Sequence, residues 1–415
     1  MKKKVGITLG AVALLISVSI AGCSPVKKGI IQQNKEEKVP VNGSQVISEV
    51  VVPSANAAAK QQEEVGTVTD IRGKYLYHQC YGYQLLKESE QRIYEEILEA
   101  LDNVEEDVLI SSTDVEQVVK IHQYVCQDNP ELFWVKGYKI VPYEMAGKTV
   151  KVKYSGLYTM KKGEKENYQT AMEEKTDPWL DEIAQCQEDY DKIKKAYDLI
   201  ILNTSYNINA KESQNVLSVF LQGESVCQGY AEAFQYLCKH SGIQNILVTG
   251  QADNSRGSQA HAWNLVKMDG TFYQFDITWG EPNYQVTDAV SEKVKWDISY
   301  KYFGMTDAEM ARDHTIALEM DMQLPECNST QGNYYIHEGY YYETLDKRQI
   351  KIQVLEAEEA GLGVVHLRCS NELLYQEFVK YLIEDSKIFY IVRGHTEIQY
   401  SLDEELCCIS IFWDI

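Results

Sequence analysis

The stretch from Ser225 to Trp279 constrains the fold of this chain more than any other part. Its first half has apolar residues at helical period that end at Gly242, which predicts a helix packed against a core. Ser225 and Gln228 have the spacing of a capping box, so we predict Ser225 as the N-cap and Cys227 in the first helical turn. The unpaired N–H groups and the positive end of the helix dipole favour a thiolate there.

The second half of this stretch predicts a β-hairpin whose two-residue turn is Asp269-Gly270. That turn places His261 opposite Thr278 and Trp263 opposite Asp276, with all four side chains on one face. His261 and Asp276 are then diagonal neighbours within hydrogen-bonding reach. The rival carboxylate lies in the turn itself, at the far end of the hairpin.

Cysteine, histidine and aspartate are the three side chains that a thiol acyl-transfer site needs. In such a site His261 takes the proton of Cys227 and returns it to the leaving group, while Asp276 orients the imidazole and stabilises its charged form. Each residue alone has an ordinary structural explanation. Helix-start position, strand register and chain order together favour a catalytic site.

The oxyanion donors are less well determined by the sequence. The backbone N–H of Cys227 is the predicted first donor, because it lies at the helix start. Gln222, just upstream, and Tyr206 are both candidates for the second donor. Tyr206 lines the cleft in one interpretation and only fills the core in the other. Trp263 is a further cleft candidate, since it shares the predicted hairpin face of His261.

The segments SVCQGYAEAFQYLC and QAHAWNLVKMDGTFYQFDITWG, with LNTSYN upstream, resemble the transglutaminase-like superfamily in its bacterial surface-protein branch. The resemblance covers residues 190–315 and includes YFGMTDAEMARDHT. It implies a papain-like core, with Cys227 as nucleophile, His261 as general base and Asp276 as the orienting carboxylate. It does not select a reaction, because the superfamily includes crosslinking transferases, proteases, deglycosylating amidases and inactive members.

We therefore expect an enzyme that attacks peptide-type amides through a Cys227 thioester, which an amine or water resolves. Hydrolysis is favoured over protein crosslinking, because water requires no dedicated second binding site. One alternative is a non-catalytic binding module of the same fold at the cell wall. Another is a structural, wall-anchored protein whose function lies in the modules on either side of the catalytic domain. The expected partner is a protein or peptide substrate, with the cell wall as its candidate location.

The N-terminus has the pattern of an export signal. Lys2–Lys4 precede an apolar run from Val5 to Ile20, and small residues lead to Cys23. Ala21-Gly22-Cys23 resembles the lipobox of bacterial lipoproteins, in which Cys23 is lipidated and becomes the mature N-terminus. The alternative is an uncleaved anchor, but the apolar run is short for a spanning helix. We expect an extracytoplasmic protein held at the membrane by lipid.

Composition excludes several classes of partner. The formal net charge is −22, or −25 without the three lysines of the signal, whereas nucleic-acid binding needs clustered basic residues. The sequence contains no C-x-x-C pair, phosphate-binding glycine loop or dinucleotide fingerprint, so we expect neither a structural metal nor an organic cofactor. Of ten cysteines, an even number remains beside Cys23 and Cys227, which permits disulfides in an exported protein.

The chain is predicted to have an α+β fold whose core is a nucleophile helix packed on an antiparallel sheet. We divide it into a signal peptide (1–22), a flexible tether (23–70), an N-terminal α+β module with two helices and then two strands (71–160), a papain-like, transglutaminase-type catalytic domain (161–320) and a β-rich C-terminal α+β module (326–415). In the last module the tyrosine-rich run 334–342 predicts two strands around Glu338-Gly339. A helix is expected there from Asn371 to Glu384.

Overall fold

The computed structural model describes residues 76–210, 213–254, 257–281, 298–318, 320–392 and 394–413. The predicted signal peptide, Cys23 and the tether to residue 70 lie outside these ranges, so their assignments stay predictions. Across the described ranges, no helix combines the length and apolar character needed to cross a membrane. The architecture is α+β, which confirms the predicted fold class.

The first described region is a three-stranded antiparallel sheet with helices packed beside it. Strand β3 lies between β1 and β2. Asp114 caps α3, because its side chain accepts hydrogen bonds from the N–H groups of Glu116 and Gln117. The expected two helices and two strands are present as α2, α3, β2 and β3. The elements are a 3₁₀ turn at Tyr77–Gln79, α1 Tyr81–Gln84, α2 Glu88–Asn103, β1 Val108–Ile110, α3 Val115–Asp128, β2 Val135–Met145 and β3 Lys148–Tyr158.

The central region packs helix α6 on the face of a five-stranded antiparallel sheet. The strand order is β10-β6-β7-β8-β9, so α6 lies over β6 and β7 near the middle of the sheet. Two long helices, α4 and α5, pack beside α6. The elements are α4 Lys162–Ala184, α5 Asp189–Asn203, β4 Ser205–Tyr206, a π-helical segment Ser218–Gln222, β5 Glu224–Ser225, α6 Cys227–His240, β6 Asn245–Asn254, β7 Gly257–Met268, β8 Thr271–Phe275, a 3₁₀ turn Thr278–Gly280, β9 Phe303–Met305, α7 Asp307–Met310 and β10 His314–Ile316.

The first and central regions share one continuous hydrophobic core. A buried polar contact reinforces this junction at the C-terminal end of α6. The Lys239 ammonium lies 2.7 Å from Glu131 Oε1 and 2.6 Å from Asn129 Oδ1, both just beyond α3. Helix α6 therefore packs against the sheet along one face and against the first region at its C-terminal end.

The C-terminal region has its own core and a four-stranded sheet of order β11-β12-β14-β13. The expected helix from Asn371 to Glu384 is present, since Asn371 caps α10 and a π-helical segment, Lys380–Glu384, continues it. The elements are α8 Tyr334–His337, β11 Tyr341–Tyr342, α9 Lys347–Glu359, β12 Val364–Cys369, α10 Glu372–Val379, a 3₁₀ turn Lys387–Tyr390, β13 Gln399–Asp403 and β14 Cys408–Phe412.

The two predicted tyrosine-rich strands are wrong in their first half. Tyr334–His337 is a helical turn, because the Asn333 side chain accepts a hydrogen bond from the N–H of Tyr335 and so caps it. Glu338 and Gly339 end that turn, with Gly339 at a φ of 76°. Only Tyr341–Tyr342 is a strand.

Candidate active site

Cys227 is the first residue of α6, as the sequence predicts, but the capping box is absent. The N-cap is Val226, which has no capping side chain. Ser225 Oγ instead lies 2.6 Å from Ser218 Oγ and donates to the carbonyl of Ser213 at 3.1 Å. These bonds tie the helix start to the preceding π-helical segment. The N–H groups of the first turn of α6 are therefore not occupied by Ser225.

The Asp269-Gly270 turn sets the predicted hairpin register, but the pairing is shorter than expected. Met268 pairs with Thr271, and the ladder continues to Phe275. The predicted pairs of His261 with Thr278 and of Trp263 with Asp276 are wrong, because the chain leaves the strand at Asp276.

The side chain of Asp276 explains this departure. Its Oδ1 accepts hydrogen bonds from the backbone N–H groups of Thr278 at 2.9 Å and Trp279 at 3.2 Å. An aspartate that bonds to N–H groups two and three residues ahead favours a turn over a continuing strand. The turn holds the carboxylate in one orientation.

His261 and Asp276 nevertheless meet. His261 Nε2 lies 2.8 Å from Asp276 Oδ2, and both residues are buried. Cys227 is half-buried, and its side chain is close enough to the imidazole of His261 to contribute to the raised pKa of that histidine. Because Nε2 faces Asp276, Nδ1 remains for the sulfur. The three predicted residues thus form one chain of contacts from thiol to imidazole to carboxylate.

This chain of contacts favours a charged imidazole. Burial alone would lower the pKa of His261, but the negative charge of Asp276, its hydrogen bond and the neighbouring Cys227 outweigh burial and raise the pKa to about 10. Burial likewise opposes ionisation of Asp276, yet its two histidine neighbours hold the pKa of that carboxyl well below its usual range. The geometry thus supports an imidazolium–carboxylate pair.

Trp263 lies behind His261, not at an open cleft edge. Its side chain is fully buried and its ring centroid lies 6.1 Å from that of His261. The indole N–H donates to Gln274 Oε1 at 2.8 Å, so it does not serve as an oxyanion donor. Trp279 packs on the imidazole at 5.7 Å and is only half-buried. One tryptophan therefore supports the imidazole and the other lies at the surface of the site.

The two other oxyanion candidates lie on the surface. Gln222 is exposed at the end of the π-helical segment. Tyr206 is 44% exposed, and its backbone N–H donates to Glu281 Oε2 at 2.8 Å. Tyr206 therefore does not fill the core. The assignment of either residue as the second oxyanion donor stays a prediction.

His314 is a residue of this site that sequence reasoning missed. Its Nε2 lies 3.2 Å from Asp276 Oδ2, the same oxygen that contacts His261. The segment that contains it, YFGMTDAEMARDHT, resembles the family but carries no predicted site residue. Its position as the first residue of β10, beside Asp313, offered no periodic or spacing signal. Only the sheet order brings it to Asp276.

Two histidines and a carboxylate in contact resemble a metal site. The ligand atoms of His261, Asp276 and His314 all lie within 4.8 Å of one another. However, the imidazole nitrogens point at the Asp276 oxygen at 2.8 and 3.2 Å, the distances of N–H donors to an acceptor. We interpret this group as a hydrogen-bond network and not as a ligand set. All nine cysteines in the described ranges are free thiols.

Comparison with known families identifies the region that holds these residues. Residues 177–277 match the model of the transglutaminase-like superfamily, and this range includes Cys227, His261 and Asp276. This region is a transglutaminase-like domain. His314 lies beyond the matched residues.

Two curated relatives are similar to part of this chain. The kyphoscoliosis peptidase of Mus musculus is 22% identical over 147 residues, which is 32% of this chain and 22% of that protein. Its Homo sapiens counterpart is 23% identical over 147 residues, which again is 32% of this chain and 22% of that protein. The chain therefore spans 22% of the length of the curated relatives it matches.

Two solved structures are similar in part. A TGase crystal structure is 14% identical, with coverage of 38% of this chain and 55% of that chain and a TM-score of 0.24. A candidate cysteine protease from Cytophaga hutchinsonii is 17% identical, with coverage of 32% and 55% and a TM-score of 0.24. The family match over residues 177–277 supports an enzyme of the cysteine hydrolase or acyltransferase kind.

Proposed function

We propose that the chain is a thiol acyltransferase of the peptidase type, which attacks peptide-type amides through Cys227. The observation that carries this proposal is the contact of His261 Nε2 with Asp276 Oδ2 at 2.8 Å, with the Cys227 side chain interacting with the same imidazole. Nucleophile, base and orienting acid in hydrogen-bonding order is the arrangement that thiol catalysis requires.

The proposed reaction has two steps. The sulfur of Cys227 attacks the amide carbonyl carbon, and the C–N bond breaks as the proton on His261 passes to the departing amine. The resulting thioester is then attacked by water, which gives a carboxylic acid, or by an amine, which gives a new amide. We favour water, because hydrolysis needs no second binding site, and the name of the curated peptidase relatives is consistent with this choice.

We also propose that the protein is exported and anchored to the membrane by lipid on Cys23. The support is the sequence of the first 23 residues: basic residues, a short apolar run and small residues before the cysteine. A protein or peptide outside the cytoplasm, for example in the cell wall, would then be the substrate. Metabolic labelling with a radioactive fatty acid tests this assignment, since Cys23→Ser should abolish labelling and the wild-type chain should be labelled.

The thiol chemistry is tested by alkylation of Cys227 across the pH range, followed by mass spectrometry. We expect fast labelling of wild-type Cys227 below pH 7, and its loss in His261→Ala. Cys186, also half-buried, is the internal control because it lies outside the site. Labelling of Cys227 no faster than of Cys186 would contradict the proposal and favour a non-catalytic binding module.

Substrate turnover provides the second arm of this test. A folded Cys227→Ala protein should release no amine from a library of peptide amides, whereas the wild type should. Ammonia or amine release without a matching carboxylic acid, in the presence of a lysine analogue, would indicate transfer instead of hydrolysis. Equal turnover by wild type and Cys227→Ala would refute the mechanism.

A further inference from the structure

His314 occupies a place that the proposed chemistry does not require. It is the first residue of the edge strand β10 and lies beside the hairpin that carries His261, separated from Asp276 by 38 residues of chain. Its side chain is fully buried, as is that of Asp276. Asp276 Oδ2 thus has two imidazole neighbours, His261 at 2.8 Å and His314 at 3.2 Å.

The second nitrogen of His314 also faces a carboxylate. Nδ1 lies 2.5 Å from Asp313 Oδ1, and the hydroxyl of Tyr302 donates to Asp313 Oδ2 at 2.5 Å. An ionised carboxylate only accepts hydrogen bonds, so both nitrogens of His314 have to donate. An imidazole with two N–H groups carries a positive charge. Negative and positive charges therefore alternate along one row of side chains, Asp313, His314, Asp276 and His261, of which only Asp313 is partly exposed.

The backbone is built to bring His314 this close. In the sheet, β10 pairs with β6, with His314 opposite Ala252 and Ile316 opposite Gly250. A side chain at position 250 would overlap the carbonyl of Thr315 and press on Trp263, so glycine is needed for the close approach of β10. The ring of Trp279 packs against the His314 imidazole at 4.6 Å and covers it.

We propose that His314 is a positioning residue of this site: as a buried imidazolium it orients Asp276 and weakens the hold of Asp276 on the proton of His261. This inference rests on the proposed function, because it concerns the same proton. If Asp276 held that proton too firmly, His261 would not pass it to the departing amine. A second positive partner divides the attraction of the carboxylate between two imidazoles.

Several charged or titratable groups act on this row from the elements packed around it. The pKa of His314 itself is raised, because hydrogen bonds to Asp276 and Asp313 outweigh burial, while the charge of His261 opposes that rise. The groups that face the two imidazoles are Cys227 of α6, Asp276 after β8, Tyr302 before β9, Asp313 before β10 and, through Tyr302, Asp403 of β13.

The test compares the pH dependence of Cys227 alkylation in wild type, His314→Gln and His314→Leu. Loss of the positive charge should let Asp276 hold the His261 proton more firmly. The basic limb, which is the alkaline side of the plot of alkylation rate against pH, should therefore shift to higher pH by roughly one unit. His78→Gln is the matched control, since His78 is exposed and lies in the first region. Turnover of an amide should fall about tenfold in both His314 variants at unchanged KM.

A purely structural role for His314 would lower stability without moving the basic limb, and that result would overturn the proposal. If both variants fail to fold, nitrogen NMR of wild-type protein labelled at histidine decides the question. Protons on both ring nitrogens of His314 at pH 8 are expected, and a neutral ring would contradict the inference. The His261→Ala variant keeps the two proposals apart. Its loss of Cys227 activation tests the proposed function alone, because His314 is unchanged in that variant.

Discussion

His261 Nε2 and Asp276 Oδ2 lie 2.8 Å apart, although the backbone pairing between their strands ends one residue before Asp276. The contact therefore depends on the turn that begins at Asp276 and not on a cross-strand register. That turn occupies Oδ1 with two backbone N–H groups and leaves Oδ2 directed at the imidazoles. The orientation of the Asp276 carboxylate is thus determined by the local chain.

Asp276→Asn should reduce Cys227 alkylation at neutral pH by about 10- to 30-fold, because an ordinary thiol is still a few per cent thiolate at pH 7. Asparagine keeps the shape and one acceptor but removes the charge that outweighs burial of His261, so the pKa of His261 should fall below its ordinary value. The measurement is the alkylation rate between pH 5 and 10. Asp269→Asn is the control, because that exposed carboxylate lies in the turn and should leave the rate unchanged. Equal rates in both variants would remove Asp276 from the proposed site.

The stability of the protein should depend on pH through the same pair. The pKa of His261 is raised from 6.5 to about 10, so its stabilising effect is complete below pH 6.5 and is lost as the pH rises to 10. Asp276 has a lowered pKa, so its effect is present above its ordinary value of 3.8 and is lost at lower pH.

We therefore expect the free energy of unfolding to fall between pH 6.5 and 10, with a slope of up to about 1.4 kcal/mol per pH unit from this one proton. Urea unfolding of wild type and His261→Gln at several pH values measures it. The difference in unfolding free energy between the two proteins should shrink as the pH rises. A constant difference across that range would contradict a charged His261 in the folded state.

Lys239 should be one of the most sensitive positions outside the site. Its buried ammonium contacts Glu131 Oε1 at 2.7 Å, and Glu131 Oε2 is buried without a hydrogen-bond partner in the described structure. Lys239→Met would leave that carboxylate uncompensated, at a cost of about 3–5 kcal/mol of unfolding free energy. Urea denaturation measures the change.

Two further variants make the Lys239 result specific. Adding Glu131→Gln to Lys239→Met should recover part of the loss, because the uncompensated negative charge is then removed. Lys195→Met, which removes an exposed ion pair with Glu182 at 3.7 Å, should change the unfolding free energy by less than about 1 kcal/mol. Equal losses of unfolding free energy for Lys239→Met and Lys195→Met would show that the Lys239 contact stabilises the fold no more than an exposed ion pair does.

The sequence predicted the helix start at Cys227 and the hairpin turn, because both depend on local periodicity and turn chemistry. It also predicted the contact of His261 with Asp276, but through a cross-strand pairing that the structure does not contain. It failed where a side chain competed with the backbone pattern. Asp276 ends its strand by bonding to N–H groups ahead of it, and Ser225 bonds to Ser218 instead of capping α6. The hydrogen-bond partner that such a side chain takes depends on its neighbours in the folded structure, which the periodicity of the sequence does not specify.

His314 escaped prediction for a different reason. Its partner Asp276 is distant in sequence, and the contact exists only because β10 pairs with β6 at the edge of the sheet. A three-residue strand carries too little pattern for its partner to be inferred. Long-range placement of short elements is set by packing of the whole sheet, here by the close approach that Gly250 permits.

Gly229, in the first turn of α6, should be intolerant of alanine. A Cβ there would overlap Ser225 Oγ and lie 2.7 Å from Ser218 Oγ, so the hydroxyl contacts that hold the helix start would have to shift. We expect Gly229→Ala to lower the unfolding free energy by about 1–3 kcal/mol and to slow alkylation of Cys227, which lies two residues earlier. Gly163→Ala is the control. No atom lies near its Cβ position in α4, so alanine should stabilise by about 0.4–1 kcal/mol. A stable Gly229→Ala protein with wild-type labelling would show that Cys227 is positioned independently of the serine contacts behind it.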